Sequence, residues 1–273
     1  MNTFTRTVPR GNFPIPTYCI IACHVMWREL SHYAAKSANA YQLVFLEQGL
    51  HDTPDTLRSE LQKAVDEADG RYEAILVGYG LCSNGIAGIS AKKSRLVVPR
   101  GHDCITLFLG SKERYRDYFD THPGTYWYNA GWIETGTQPS QARYEATLAY
   151  YVDRYGEDNA EYLMEMEQGW FKEYSNAAHI DQSLIDDTPY KEFTKKAADW
   201  LHWKYEELPA DNSLFEDFLE GRWDNDRFLV LEPGETIQPS HDDAVLRKDP
   251  APSAAPAVDA TPAPAPDAAT AES

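Results

Sequence analysis

Three of the four cysteines in this chain sit where an apolar, β-branched run gives way to a loop: Cys23 in TYCIIACHVM, Cys82 in AILVGYGLCSNG and Cys104 in RLVVPRGHDCI. Thiolates and imidazoles are the soft and borderline ligands that select Zn²⁺, and thiolates also hold iron–sulfur clusters. With His102 nearby, the set Cys23, Cys82, Cys104 and His102 supplies three or four such ligands, for Zn²⁺ first and an iron–sulfur cluster as the alternative. None of them belongs to a C-x-x-C pair, so only a folded sheet can assemble the site. His102 and Asp103 form a candidate proton-transfer pair, an imidazole beside an orienting carboxylate. Arg100 offers a fork for a carboxylate or phosphate. The bland alternative is that each cysteine is a small buried hydrophobe. For Cys19, inside the first run, that alternative wins, and His24 reads as a surface histidine.

The GYGLCSNG loop adds a candidate cofactor cradle. Gly78, Gly80 and Gly85 let backbone N–H groups approach an anion at a helix start, with Ser83 and Asn84 as side-chain contacts. It is not a dinucleotide fingerprint, because Ser83 stands where the third glycine of G-x-G-x-x-G would fall. A tight turn needing positive φ explains the same glycines.

The elements that must position these groups alternate along the chain. Apolar runs at Tyr18–Ala22, Gln42–Leu46, Tyr72–Val77 and Arg95–Val98 predict strands, and Thr125–Asn129 predicts a fifth. Helical spacing follows the first strand at Val25, Met26 and Leu30. Thr53-Pro54 opens a helix whose Leu57, Leu61 and Val65 share one face, and the loop after the third strand has room for a short helix. CITLFLGSKERYRDYFDTH predicts one helix, or two meeting at Gly110-Ser111. The alternation predicts an α/β fold with a doubly wound, mainly parallel sheet of about five strands, flavodoxin- or Rossmann-like.

In the strand order 2-1-3-4-5, the first, third and fourth strands are neighbours, and Cys23, Cys82 and Cys104 follow them in turn at the edge where such sheets bind ligands. Glu47, His51 and Asp52 fall at the outer side of the same rim. Tyr126, Trp127, Trp132 and Glu134 are candidates to wall the crevice, or core residues.

Residues 1–16 predict an extended arm, 17–135 the α/β core, and 136–240 a mainly helical region packing on it, with a late strand at Arg227–Leu231. In that region the stripe Tyr144, Leu148, Tyr151 predicts a core-facing helix side. From 241 to 273 a disordered tail is expected, since sixteen of the twenty-four residues 250–273 are Pro or Ala. The formal charge of −18 provides no basic stripe and disfavours nucleic acid and anionic lipid as partners. No run is long and apolar enough to cross a membrane, and the amino terminus has no apolar signal core, so the cytoplasm is the expected compartment. There the cysteines read as ligands, catalysts or hydrophobes rather than disulfides.

The strings IACHVMWREL, FLEQGLHDTPDTLRSELQ, YEAILVGYGLCSNGIAGI, LVVPRGHDCITLFLGSKERYRDYF and PGTYWYNAGWIE, in this order, resemble the family called domain of unknown function 1638. The resemblance covers about residues 17–135 and marks Cys23, Cys82, His102, Asp103 and Cys104 as motif positions. It implies a setting in anaerobes and methanogens, beside corrinoid-dependent methyltransferase systems. The leading expectation is therefore a cytoplasmic zinc enzyme acting on a small molecule in or beside corrinoid-linked methyl transfer, with a corrinoid protein or methyltransferase as partner. The alternatives are an iron–sulfur redox or reductive-activation protein, a metal-free binding module or accessory chaperone, and a metal-free thiol catalyst using Cys82 or Cys104.

Overall fold

The run at 18–22 is short and rich in branched side chains, and it forms the interior strand β1 (Thr17–Cys23), buried along nearly all its length. The computed structural model describes residues 15–250. Strands β2 (Ala40–Leu46) and β3 (Ala74–Gly78) flank β1, and β4 (Arg95–Pro99) lies beyond β3, all parallel. The fifth place belongs to β8 (Phe228–Leu231), antiparallel to β4, so the order is β2-β1-β3-β4-β8. The fold is mixed α/β with a mostly parallel five-stranded sheet, and the three cysteine-bearing strand ends are neighbours as predicted.

Helices α1 (Trp27–Lys36) and α2 (Pro54–Ala68) follow β1 and β2. Pro54 stands at the start of α2 and Leu57, Leu61 and Val65 are fully buried, although the Thr53 side chain makes no capping bond. No helix forms between β3 and β4. After β4 come α3 (Ile105–Leu109) and α4 (Lys112–Thr121), which meet at Gly110 (φ +81°), where Ser111 caps α4 by accepting from the Arg114 amide at 3.0 Å.

The predicted fifth strand, β5 (Thr125–Tyr128), does not join this sheet. It pairs in parallel with β6 (Asn176–Asp181), which pairs in parallel with β7 (Lys204–Pro209). The region expected to be mainly helical thus carries two strands of a second sheet, besides α6 (Gln141–Tyr155), α7 (Glu157–Gln168), α8 (Thr188–Leu201) and α9 (Ser213–Glu220). NAAHID was hidden by alanines that favour helix, and KYEELP by the charges of an edge strand. Between β5 and α6 lies the short α5 (Ala130–Thr135). The stripe on α6 is not core-facing: α6 has no buried residue, and Tyr144 instead stacks on Trp200 of α8 with ring centres 5.3 Å apart. Strands β9 (Thr236–Pro239) and β10 (Leu246–Asp249) pair antiparallel, so ordered chain continues past 241, where the tail was expected to begin. Most of the arm and the Pro/Ala tail lie outside the described residues.

The two sheets point their carboxyl ends at each other. After β1, the Val25 carbonyl lies against Gly131 of α5, where an added Cβ would approach it to 1.9 Å. After β2, Gln48 accepts from the Thr135 hydroxyl at 3.1 Å. After β4, the Phe108 ring stacks on Trp132 with centres 5.0 Å apart, and the Phe108 carbonyl accepts from the Asp211 amide beyond β7 at 3.2 Å. Ala178 and Ile180 of β6, with Trp127 and Trp132, accordingly belong to the core of the first sheet. None of the described helices is long and apolar enough to cross a membrane.

Candidate functional site

Parallel pairing sets the three cysteines at or just after neighbouring strand ends. Ala22 is level with Gly78, which sets Cys23 beside the start of the loop after β3. That loop then runs alongside the one after β4: the Leu81 amide donates to the Gly101 carbonyl and the Cys82 amide to the His102 carbonyl, each at 2.8 Å. Gly80 lies so close to Asp103 that a Cβ would stand 2.6 Å from its backbone nitrogen. None of Gly78, Gly80 and Gly85 has positive φ. The left-handed backbone falls instead on Cys82 (φ 46°), Ser83 (φ 55°) and Asn84 (φ 64°). Three consecutive non-glycine residues there cost roughly 1–2 kcal/mol each, and such strain persists where surrounding contacts impose it, often at functional sites.

Cys23 and Cys82 are buried, and Cys104 keeps part of its surface open. Burial pushes the Cys23 thiol up to about 11. It raises Cys82 and Cys104 further, and there the neighbouring charges on Cys23 and Asp103 add to it, with Cys82 also acting on Cys104. Burial, with lesser contributions from the same three thiols, raises the proton affinity of Tyr79, whose buried hydroxyl has no hydrogen-bond partner among the described residues. Tyr79 was missed in the sequence, although its place directly after β3 is the signal that marked Cys82. No side-chain cation is among the influences on the thiols. Cys19, also raised by burial, to about 12, is a core residue within β1, as expected.

Asp103 is held at both carboxylate oxygens. Its Oδ2 accepts from the Tyr115 hydroxyl at 2.9 Å and its Oδ1 from the Ile105 amide at 3.0 Å. Burial raises its proton affinity, while these hydrogen bonds, the Thr106 amide and His102 pull the other way. Tyr115 stacks edge-on against Trp127 with ring centres 5.8 Å apart; Trp127 and Trp132 are core residues, Tyr126 packs against the second sheet's own cluster, and Glu134 pairs with Arg28. His102 is exposed, and its carbonyl rather than its ring ties the two loops. Glu47, His51 and Asp52 face solvent, the last two paired at 3.4 Å.

Arg100 does not face a ligand. Its guanidinium donates to the backbone carbonyls of Asn225 at 2.9 Å, Phe228 at 3.2 Å and Ala244 at 3.0 Å, and also to that of Leu246. It ties β4 to β8 and the last hairpin. Arg100→Lys, with fewer donors and no planar fork, is expected to lower stability by about 2 kcal/mol, read from the urea unfolding midpoint. An unchanged midpoint would return Arg100 to the ligand-binding groups.

Among the described residues, no group of three or more His, Cys, Asp and Glu side chains is arranged to hold a metal ion. The donor types suit a soft metal, but they form no ready-made cage. The model of the family described as protein of unknown function (DUF1638) matches residues 45–219, well over half the chain. The chain belongs to this family. The match begins at the end of β2 and runs through β3, β4, β5, β6 and β7 into α9, so it takes in the second sheet and part of the first, while β1 with Cys23, and β8, lie outside it. No curated protein and no solved structure matches the chain.

Proposed function

We propose that the protein is a thiolate metalloprotein, with Cys23, Cys82 and Cys104 as ligands of a soft or borderline divalent ion, Zn²⁺ first. The observation that supports this reading is the placement of three cysteines at or just after three adjacent parallel strand ends, next to the unpaired Tyr79 hydroxyl in the chain. His102, exposed beside them, is the fourth ligand or the group that carries protons to and from solvent. Because the described residues form no ready-made cage, binding the ion would require the thiols to move toward it.

Metal-free thiol catalysis fits less well. No neighbouring side chain lowers the proton affinity of any of the three thiols, and a neutral thiol is a poor nucleophile. When bound, thiolate-held Zn²⁺ with an open position would activate a substrate thiol for alkyl transfer. The family resemblance favours an enzyme in or beside corrinoid-dependent methyl transfer, with a corrinoid protein or methyltransferase as partner. Asp103, held by Tyr115 and the Ile105 amide, orients the loop that carries His102 and Cys104.

The test is metal content of protein purified without oxygen. About one Zn²⁺ per chain is expected, falling at least tenfold in Cys82→Ser and Cys104→Ser. Visible absorption bleached by dithionite would replace zinc by an iron–sulfur cluster, and protein free of both metals would overturn the reading.

A further inference from the structure

The second sheet carries an unexplained set of polar groups at its own carboxyl edge. Asn129 directly follows β5, Gln182 directly follows β6, and Asn212 stands three residues beyond β7. Asn129 is completely buried: its Oδ1 accepts from the Trp132 amide at 2.8 Å, and its Nδ2 has no partner among the described residues. Gln182 is 6% exposed, and neither its Nε2 nor its Oε1 is partnered. Asn212 donates through Nδ2 to the Gln182 carbonyl at 3.2 Å and leaves Oδ1 unpaired. Opposite them, Glu29 of α1 is 1% exposed with an unpaired Oε2.

These groups share one seam. The helical turn 24–26 packs on α5, which Asn129 caps, and α1 packs on α9, which begins right after Asn212. The more distant charges that act on Glu29 are Glu134 of α5 and Asp187 of the loop beyond Gln182. Native interiors hold few unpaired polar groups, because each costs the full desolvation of a donor or acceptor, and apolar residues would fill the same space at no such cost. Here the unpaired groups collect at the carboxyl ends of three parallel strands, the edge at which α/β sheets bind ligands.

We propose that this seam is a second ligand site, closed in the present structure, and that it takes a small neutral ligand bearing a carboxamide. The amide cluster offers unpaired donors at Asn129 Nδ2 and Gln182 Nε2, and unpaired acceptors at Gln182 Oε1 and Asn212 Oδ1. A carboxamide supplies the matching acceptor and donors and pairs with the Gln182 amide through two hydrogen bonds at once. No Lys or Arg belongs to the set, which disfavours an anion, and an apolar ligand would leave every one of these groups unpaired. Entry has to part α1 from α5, which Trp27 and Arg28 tie together by donating to Glu134. The site does not rest on the thiolate reading.

The test follows the side-chain amide signals of Asn129, Gln182 and Asn212 in the ¹⁵N-labelled full chain during titration with acetamide, with acetate and tert-butanol as matched controls. Saturable shifts with a Kd on the order of 1–10 mM are expected for so small a probe, the controls being at least tenfold weaker. Gln182→Met should abolish the acetamide response while leaving the melting temperature unchanged or higher, since it removes a buried amide that the closed protein does not pair. Absence of saturation up to about 100 mM acetamide would overturn the proposal. So would a Gln182→Met melting temperature more than about 3 °C below the parent, because that amide would then already be satisfied within the fold.

Discussion

Gly131→Ala is expected to lower stability by roughly 3–5 kcal/mol, a large fraction of the total for a domain of this kind. The position is helical, so alanine would ordinarily help by about 1 kcal/mol. The space decides otherwise: the new Cβ would stand 1.9 Å from the Val25 carbonyl oxygen, and that oxygen belongs to backbone and cannot swing aside. Relief requires α5 to move away from the turn after β1, and with it the end of β5 from the end of β1. Gly169→Ala is the matched control, since nothing lies within 4 Å of its added Cβ and its φ is −53°. Denaturant midpoints should fall sharply for the first variant and stay or rise for the second. Equal midpoints would mean that the two sheets do not meet at this carbonyl.

Glu29→Gln is expected to stabilise the protein by about 2–3 kcal/mol at about pH 8 and to leave it nearly unchanged at about pH 4. Burial pushes the Glu29 carboxyl up to about 7 from its ordinary 4.5, with Glu134 and Asp187 adding to burial while a backbone amide and Arg28 oppose it. Below 4.5 both the folded and the unfolded chain hold the proton and there is no penalty. Between 4.5 and about 7 the unfolded chain has lost the proton and the folded chain keeps it, so folding takes up a proton and stability falls as pH rises. Above about 7 the penalty is constant. Glutamine mimics the protonated acid at every pH, so the gap between variant and parent should open across that window. Parallel pH profiles for the two would mean that Glu29 ionises as readily in the folded protein as in the unfolded one.

Much of the first sheet was legible in the sequence, because buried parallel strands are short runs of branched residues and α2 carries both a start signal and a repeating apolar face. The neighbouring ends of β1, β3 and β4 followed from that alternation, and with them the placement of Cys23, Cys82 and Cys104 at or just after those ends. Other assignments failed for physical reasons. Arg100 has the chemistry of an anion-binding residue, but whether a guanidinium meets a ligand or four backbone carbonyls depends on where β8 and the last hairpin come to lie. The glycines of GYGLCSNG suggested a left-handed turn, yet they are there for close approach, and Cys82, Ser83 and Asn84 bear the left-handed backbone. The second sheet was hidden because β6 carries two alanines and three of the six residues of β7 are charged, so neither displays the branched apolar run that announces a strand.

By itself, then, the sequence determined the class of fold, the family, and which thiols lie at strand ends, since these depend on local pattern and on motifs that are contiguous in the chain. The tertiary structure alone decided that β5 leaves the first sheet for a second, that the two sheets face each other through their carboxyl ends, and that Tyr79, Glu29, Asn129 and Gln182 are buried with atoms unpaired, beside a half-buried Asn212 whose Oδ1 is unpaired. Those properties are set by which distant segments pack together. Asn129 and Asn212 are ordinary helix-start residues in the sequence, and only the closing of one sheet's edge against the other's removes the water that would otherwise satisfy them.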